Sequence, residues 1–287
     1  MESQEPAPFL PISSAGFAVC VLGFPTDCNS SYLRGPAKAP GAIRKALWNE
    51  GTNSFTESGL DLRADGVLTD GGDLSLRDDP SDVQAITHSI TAQLIHSKRV
   101  MSLGGDHSIT YPIVRAYAQR FAGLSIVQFD AHPDLYPVFA GNRLSHACPF
   151  ARILEDAGIA GLTQVGIRTM TPPQREVADR YHVRVFGASG QEEAIRALTR
   201  GPVYVSVDLD GLDPAFAPGV SHREPGGLSV REVLSLIGAI PGTIVGADVV
   251  ELNPDEDVRD MTATVAAKIV KELISRMYAD RPSAVRT

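Results

Sequence analysis

Short apolar runs alternate with amphipathic stretches along most of the chain, and the two long proline-containing segments 134–145 and 211–228 read as loops. Strands are predicted over 16–22, 66–69, 99–103, 124–129, 162–167, 183–186, 203–207 and 243–250, and helices over 41–48, 81–96, 108–121, 146–156, 173–181, 191–200, from 229, and over 261–278. Regular alternation of this kind predicts an α/β fold, a three-layer α/β/α sandwich with a mostly parallel central sheet.

The same pattern indicates how the chain is divided and where it resides. Residues 1–14 are polar and contain prolines, so we expect a flexible N-terminal arm followed by a single α/β catalytic domain over 15–287. The N-terminal residues lack a basic segment followed by an apolar one, and no apolar run is long enough to cross a bilayer. These features predict a cytoplasmic protein without a membrane partner.

Composition narrows the function only slightly. The 34 acidic and 26 basic residues give a net charge of −8, which disfavours nucleic acid and anionic membrane surfaces as partners. The three cysteines, Cys20, Cys28 and Cys148, are too few and too scattered for a disulfide framework or a zinc cluster. We therefore expect reduced thiols and a small-molecule substrate.

Three acidic-histidine motifs follow three of the predicted strands. They cover residues 104–108 (GGDHS), 130–134 (DAHPD) and 208–213 (DLDGLD). The carboxyl ends of parallel strands lie at one edge of a sheet, so two imidazoles and at least four carboxylates should converge there. So many like charges share a pocket only with strongly raised pKa values or with bound cations. The sequence therefore predicts a metal centre.

The spacing within the motifs suggests the ligands. Asp130, His132 and Asp134 would face one way on an extended chain, and Pro133 favours extended backbone at His132. Carboxylates outnumber imidazoles, which favours Mn²⁺ over zinc or copper. The set is too large for one four-coordinate zinc ion and suits two metals that share carboxylates and activate a bridging water. The predicted ligands are His107, Asp130, His132, Asp134, Asp208 and Asp210.

A further carboxylate, Glu251, follows the predicted strand 243–250. Four ligand carboxylates would cancel the charge of two divalent cations, so an additional acid beside them would attract a cationic substrate. A planar guanidinium suits this position because it can donate two parallel hydrogen bonds to one carboxylate.

These motifs resemble those of the ureohydrolases, the arginase and agmatinase superfamily, and the match runs from about residue 23 to residue 278. Five segments are similar to the plant-type arginase branch: 29–36 (NSSYLRGP), 145–147 (SHA), 218–222 (PGVSH), 224–229 (EPGGLS) and 246–251 (GADVVE). The resemblance implies the three-layer fold, two Mn²⁺ ions per chain and hydrolysis of a small cationic guanidino substrate to urea and an amine. It also implies a homo-oligomer, a trimer or a hexamer.

The resemblance also implies a role for each matched residue. His107, Asp130, Asp134 and Asp208 would hold one manganese, and Asp130, His132, Asp208 and Asp210 the other. Asp210 would also orient the bridging hydroxide, His146 would transfer a proton to the leaving amine, and Glu251 would bind the guanidinium. Many family members have glycine where this chain has Ala147, so the loop around His146 departs from the family pattern at that position.

The identity of the substrate depends on residues that would contact its far end. Asn142, Arg143 and Ser145 are candidates for contacting the far end of the substrate, and Arg143 or Arg223 near the mouth would favour a carboxylate there. The leading hypothesis is hydrolysis of L-arginine to L-ornithine and urea. Alternatives are agmatine to putrescine and urea, or another guanidino acid such as guanidinobutyrate. Two further alternatives belong to other classes. One is a zinc deacetylase, which would share the fold but use one metal, and the other is a non-catalytic relative that acts as an assembly subunit.

Overall fold

The computed structural model describes residues 18–79, 82–96, 99–187, 191–196 and 200–280. The arm predicted over residues 1–14 lies outside the described residues. Within them, every strand and helix that the sequence predicts is present, most with ends shifted by one to three residues.

The centre of the fold is one sheet of eight strands, and every pairing in it is parallel. Its strands are β1 (Val19–Phe24), β2 (Leu68–Asp73), β3 (Arg99–Gly104), β4 (Ser125–Phe129), β5 (Gly161–Val165), β6 (Arg184–Phe186), β7 (Pro202–Asp208) and β8 (Thr243–Val250). Their spatial order is β2-β1-β3-β8-β7-β4-β5-β6.

Helices cover both faces of the sheet. They are α1 (Ala39–Leu47), α2 (Asp82–Ile95), α3 (Thr110–Arg120), α4 (Pro149–Asp156), α5 (Pro172–Arg180), α6 (Gln191–Arg196), α7 (Val230–Ala239) and α8 (Met261–Ala279). One core lies between the sheet and α1, α7 and α8, and a second lies between the sheet and α2, α3 and α4. Successive side chains of β1 belong to opposite cores, as Val19 and Val21 face one and Cys20 and Leu22 the other. The three-layer α/β/α sandwich predicted from the sequence is confirmed.

The strand order explains how distant motifs meet. The four central strands are β3, β8, β7 and β4, and each of them is followed by one of the acidic segments. The strands that carry the three motifs are not all direct neighbours, because β8 lies between β3 and β7. This insertion brings Glu251 to the middle of the same edge. Among the helices described, none combines the length and apolarity that crossing a bilayer requires.

Candidate active site

The first motif turns sharply as it leaves β3. A Cβ on Gly105 would lie 1.9 Å from the carbonyl oxygen of Thr26, so only glycine fits at this crossing of two backbones. The Asp106 carboxylate then accepts hydrogen bonds from the backbone N–H groups of Asn29 and Ser108, both at 3.0 Å. These contacts fix the backbone on either side of His107, whose side chain is fully buried.

The second motif reaches the site by a different path from the one predicted. The chain bends after Asp130, and Asp134 adopts a left-handed conformation with φ of 50°. The extended-chain explanation for this motif is therefore wrong. The bend is stabilised by the Asp130 carboxylate, which accepts a 2.6 Å hydrogen bond from the backbone N–H of His132. Asp130 also accepts a 2.6 Å hydrogen bond from the Gln128 amide.

The six predicted ligands converge at the edge of the sheet. His107 Nδ1 lies 3.2 Å from Asp130 Oδ2, 3.0 Å from Asp134 Oδ2 and 3.1 Å from Asp208 Oδ2. On the other side, His132 Nδ1 lies 3.0 Å from Asp210 Oδ2. The possible ligand atoms form two groups, and within each group all atoms lie within 4.8 Å of one another. One group consists of His107, Asp130 and Asp134, and the other of Asp130, His132 and Asp210, so Asp130 belongs to both.

The hydrogen bonds of His107 show that this cluster fits metal. The Ser206 hydroxyl donates to Asp248 at 2.6 Å, so its oxygen is the acceptor for His107 Nε2–H at 2.9 Å. That tautomer leaves a lone pair on Nδ1, which is buried and makes no hydrogen bond within the described residues. A lone pair that faces carboxylate oxygens is repelled by them unless a cation lies between, and fixing the far ring nitrogen in this way is typical of histidine ligands.

The electrostatics of the carboxylates lead to the same conclusion. Burial raises the pKa of Asp208 well above its usual range, and the neighbouring Asp210 and Asp130 add to the effect. Burial and Asp130 likewise raise the pKa of Asp134 to about 6. Burial opposes a charged His132, yet Asp210 and Asp130 outweigh it and raise the pKa of that imidazole to about 12. Without metal the cluster thus binds protons in place of cations.

Glu251 lies beside the cluster and joins it to His146. Its backbone has a φ of 64°, and its buried carboxylate oxygen Oε1 accepts hydrogen bonds from the His107 backbone N–H at 2.8 Å and from His146 Nδ1 at 2.9 Å. The other ring nitrogen of His146 faces Ser31. Burial disfavours the imidazolium, but Glu251 and nearby aspartates raise the pKa of His146 to about 9.

A cavity opens over this edge of the sheet, and its wall contains the Glu251–His146 pair and four of the six predicted ligands: His132, Asp134, Asp208 and Asp210. Its lining also includes residues that the sequence analysis did not predict: Ser31, Tyr136, Phe139, Ala147, Thr169, Thr171, Gln174 and His222. His222 packs against three other rings, with centroid distances of 5.3 Å to His146, 5.5 Å to Tyr32 and 6.1 Å to His132. The segment 218–222, already similar to plant-type arginases, was the one sequence signal that pointed to it.

The residues predicted for the far end of the substrate lie elsewhere. The Arg143 guanidinium binds Glu155 at 2.9 Å and is more than half exposed. The Asn142 amide donates to the Asn29 side chain at 3.0 Å, and Ser145 lines a small neighbouring cavity with Arg143. The structure does not bring these three side chains into the main cavity. Arg223, the other candidate at the mouth, donates to the Pro218 carbonyl and to Glu256, both at 2.7 Å.

Comparison with known proteins places this site in a family. The chain is 46% identical to "Arginase 1, mitochondrial" of Oryza sativa subsp. indica over 279 residues, which cover 91% of this chain and 82% of that one. It is 32% identical to an agmatinase of Bacillus cereus, covering 89% of this chain and 90% of that one. The solved structure of arginase from Medicago truncatula superposes with a TM-score of 0.86 at 42% identity, covering 91% of this chain and 88% of that one.

One prediction is corrected by these relatives. The prediction of a cytoplasmic protein is contradicted by the name of the rice relative, which is mitochondrial. The expectation depended on not finding a leader pattern in residues 1–14, and such an absence says nothing about the compartment in which a protein works.

The model of the arginase family matches residues 17–275, which include every predicted ligand, His146 and Glu251. The family contains metal-dependent hydrolases, in agreement with the His/Asp cluster described above. The chain belongs to the arginase family.

Proposed function

We propose that this protein is an arginase that hydrolyses L-arginine to L-ornithine and urea at a binuclear manganese centre. The observation that carries the proposal is the buried Glu251 carboxylate, which lies in the same cavity as a His/Asp cluster with two overlapping ligand groups. The plant arginases at 42–46% identity over about nine-tenths of the chain support arginine as the substrate.

Two metals are supported by charge and by the number of ligands. His107, Asp130, Asp134 and Asp208 would hold one ion, and Asp130, His132, Asp208 and Asp210 the other. The hard, oxygen-rich donor set favours Mn²⁺. When bound, two such cations neutralise the four carboxylates and lower the pKa of a water molecule, so that hydroxide is available near neutral pH. Asp210 would orient that nucleophile towards the substrate.

The protein's own residues position the substrate and supply a proton. Glu251 would bind the guanidinium through a charge-assisted hydrogen bond, which holds the planar carbon next to the cluster. His146 would provide the proton that the leaving amine requires, since its imidazolium is favoured near neutral pH by the adjacent Glu251. Because the two side chains share one hydrogen bond, substrate binding by Glu251 would be coupled to proton transfer by His146.

Agmatinase activity is the second candidate, and one observation favours it. The segment after β5 contributes Thr169, Thr171 and Gln174 to the cavity wall, and these neutral groups would not require a carboxylate on the substrate. The sequence-based candidates for contacting the substrate carboxylate face other partners: Asn142, Arg143 and Ser145. The choice of arginine over agmatine is therefore supported by the similarity to plant arginases.

Urea release separates the candidates. The protein would be reconstituted with Mn²⁺, its metal content measured, and urea release followed with arginine, agmatine, guanidinobutyrate and guanidinopropionate. We expect the highest kcat/KM with arginine and about two Mn per chain. A higher value with agmatine would refute the arginase assignment, and a single bound zinc or a metal-free, inactive protein would refute the binuclear enzyme. Light scattering of the same sample would test the trimer or hexamer that the resemblance suggests.

A further inference from the structure

Both ring nitrogens of His146 are occupied by protein groups. Nδ1 faces Glu251 Oε1 at 2.9 Å, while Nε2 lies 3.1 Å from the backbone nitrogen of Ser31 and 2.7 Å from its hydroxyl oxygen. A backbone N–H can only donate, so in the neutral ring Nε2 is the acceptor and Nδ1 carries the hydrogen that Glu251 accepts.

This arrangement determines where a second proton must be placed. An imidazolium would carry it on Nε2, and the nearest group that can accept a hydrogen bond from Nε2–H is the Ser31 hydroxyl oxygen. The Ser31 backbone N–H cannot bond to a protonated nitrogen, so it favours the neutral ring and makes the Nε2 proton easier to release. Neither nitrogen of His146 is left to contact a substrate directly.

The Ser31 hydroxyl has the access that His146 lacks. Ser31 is an exposed residue of the cavity wall, whereas His146 is only 8% exposed. A hydroxyl can accept one proton while it donates its own, which makes it suitable for passing a proton from a buried ring to a bound molecule.

The two segments that carry these side chains are held together. The backbone N–H of His146 donates to the carbonyl oxygen of Asn29 at 3.1 Å, and the Asn29 backbone N–H in turn donates to the buried Asp106 carboxylate. Ser31 therefore faces His146 in a fixed geometry, as a proton transfer requires.

We propose that the Ser31 hydroxyl relays the catalytic proton from His146 Nε2 to the nitrogen of the leaving amine. The Nε2–H bond breaks as a new Oγ–H bond forms, and the original Oγ–H bond breaks as the amine nitrogen gains a hydrogen. The C–N bond of the tetrahedral intermediate breaks and its electron pair stays on that nitrogen. The imidazolium becomes neutral imidazole, and Ser31 is unchanged. The relay rests on the proposed guanidino hydrolysis.

Three variants of the full-length, Mn²⁺-loaded protein test the relay. Ser31→Ala removes the hydroxyl but keeps the backbone N–H, Ser31→Thr keeps both, and Ser30→Ala makes the same deletion one residue away, where the hydroxyl faces Asp106 at 3.3 Å. We expect Ser31→Ala to lower kcat about 100-fold or more, with KM nearly unchanged, because general acid catalysis contributes about 10²–10⁴-fold. Ser31→Thr should restore most of the rate, and Ser30→Ala should match the wild type.

Two further measurements identify a merely structural effect. Metal content and thermal stability should be the same in Ser31→Ala and the wild type, because Glu251 and the Ser31 backbone N–H still hold the His146 ring in place. The relay is overturned if Ser31→Ala stays within about twofold of the wild-type kcat, if Ser31→Thr is as slow as Ser31→Ala, or if Ser30→Ala is equally slow. A wild type that releases no urea from any guanidino substrate would instead refute the proposed function, and the relay with it.

Discussion

The role of Glu251 can be tested by changing its charge and little else. In Glu251→Gln the side chain keeps its size. Its amide oxygen can still accept the two hydrogen bonds that Glu251 accepts, from the His107 backbone N–H at 2.8 Å and from His146 Nδ1 at 2.9 Å. Glu251 is outside the predicted ligand set, so the variant should fold and bind metal as the wild type does. Only the negative charge that we propose faces the substrate is lost.

The size of the effect follows from that charge. A hydrogen bond to a charged group contributes about 1.5–3 kcal/mol and a neutral one about 0.5–1.5 kcal/mol. Losing the charge-assisted interaction with the guanidinium, together with the attraction between opposite charges in a buried site, should weaken transition-state binding by about 1–3 kcal/mol. Because about 1.4 kcal/mol corresponds to a factor of ten, kcat/KM should fall about 5- to 150-fold.

The pH dependence should change in a defined direction. Burial lowers the pKa of His146, and the Glu251 carboxylate is the largest influence that raises it, to about 9. Glu251→Gln removes that influence and should lower the His146 pKa. If the imidazolium is the proton donor, the decline of activity at high pH will begin at a lower pH in the variant.

The matched control is Glu256→Gln, five residues further along. Glu256 is partly exposed and pairs with Arg223 at the surface, where an ion pair contributes little. Urea release from arginine would be measured for both variants across pH, with metal content determined in parallel. The reasoning is refuted if Glu251→Gln keeps wild-type kcat/KM, or if Glu251→Gln and Glu256→Gln lose it equally.

Four other predictions concern the metal centre and the backbone that supports it. Asp130→Asn should lose most bound Mn²⁺ together with activity, because Asp130 belongs to both ligand groups, and a fully active variant would refute the shared ligand. Protons should displace metal below about pH 6, since burial and Asp130 raise the pKa of Asp134 to about 6 and a protonated carboxyl binds cations poorly, so metal content after dialysis should fall as the pH is lowered. Chelation at neutral pH should lower the Tm by about 5–10 °C if the metal was present at about 100 times its Kd, and an unchanged Tm would contradict a centre built for cations. Gly105→Ala should destabilise the fold or abolish metal binding because its Cβ would overlap the Thr26 carbonyl, while Gly41→Ala, where no atom lies within 4 Å, should be tolerated in both thermal melts and metal analysis.

The fold and the predicted ligands could be inferred from the sequence because the relevant signals are short-range. A strand such as Val203–Val207 is buried on both faces, so its apolar run is continuous and its end is clear, and the acidic residues Asp208 and Asp210 follow at once. What remained hidden was the order of the strands. Nothing local to β8 indicates that it lies between β3 and β7, because that order depends on how the helices pack on the sheet.

The cavity wall was largely beyond sequence reasoning. Arg143 was a reasonable candidate for a carboxylate, yet its guanidinium binds Glu155, which lies near the end of helix α4. Thr171 was missed because a threonine before a helix reads as a cap, and here it is indeed part of a capping box while it also lines the cavity. Loop side chains take their direction from tertiary contacts, which a linear pattern does not encode.

The backbone conformation of Glu251 connects the fold to the proposed chemistry. A non-glycine residue with a φ of 64° costs about 1–3 kcal/mol, and such strain persists only where surrounding contacts enforce it. The contacts are visible: the Glu251 backbone N–H donates to the Gly105 carbonyl at 3.0 Å, and its Oε1 accepts from the His107 backbone and from His146. The strained turn therefore fixes one carboxylate oxygen against the backbone of His107, a proposed metal ligand, and against His146, the proposed proton donor. If Glu251 relaxed to a more common backbone conformation, its carboxylate would move away from the His107 backbone and from His146. The strain is therefore what the proposed chemistry requires, because that chemistry needs the guanidinium-binding group and the proton donor beside the metal ligands.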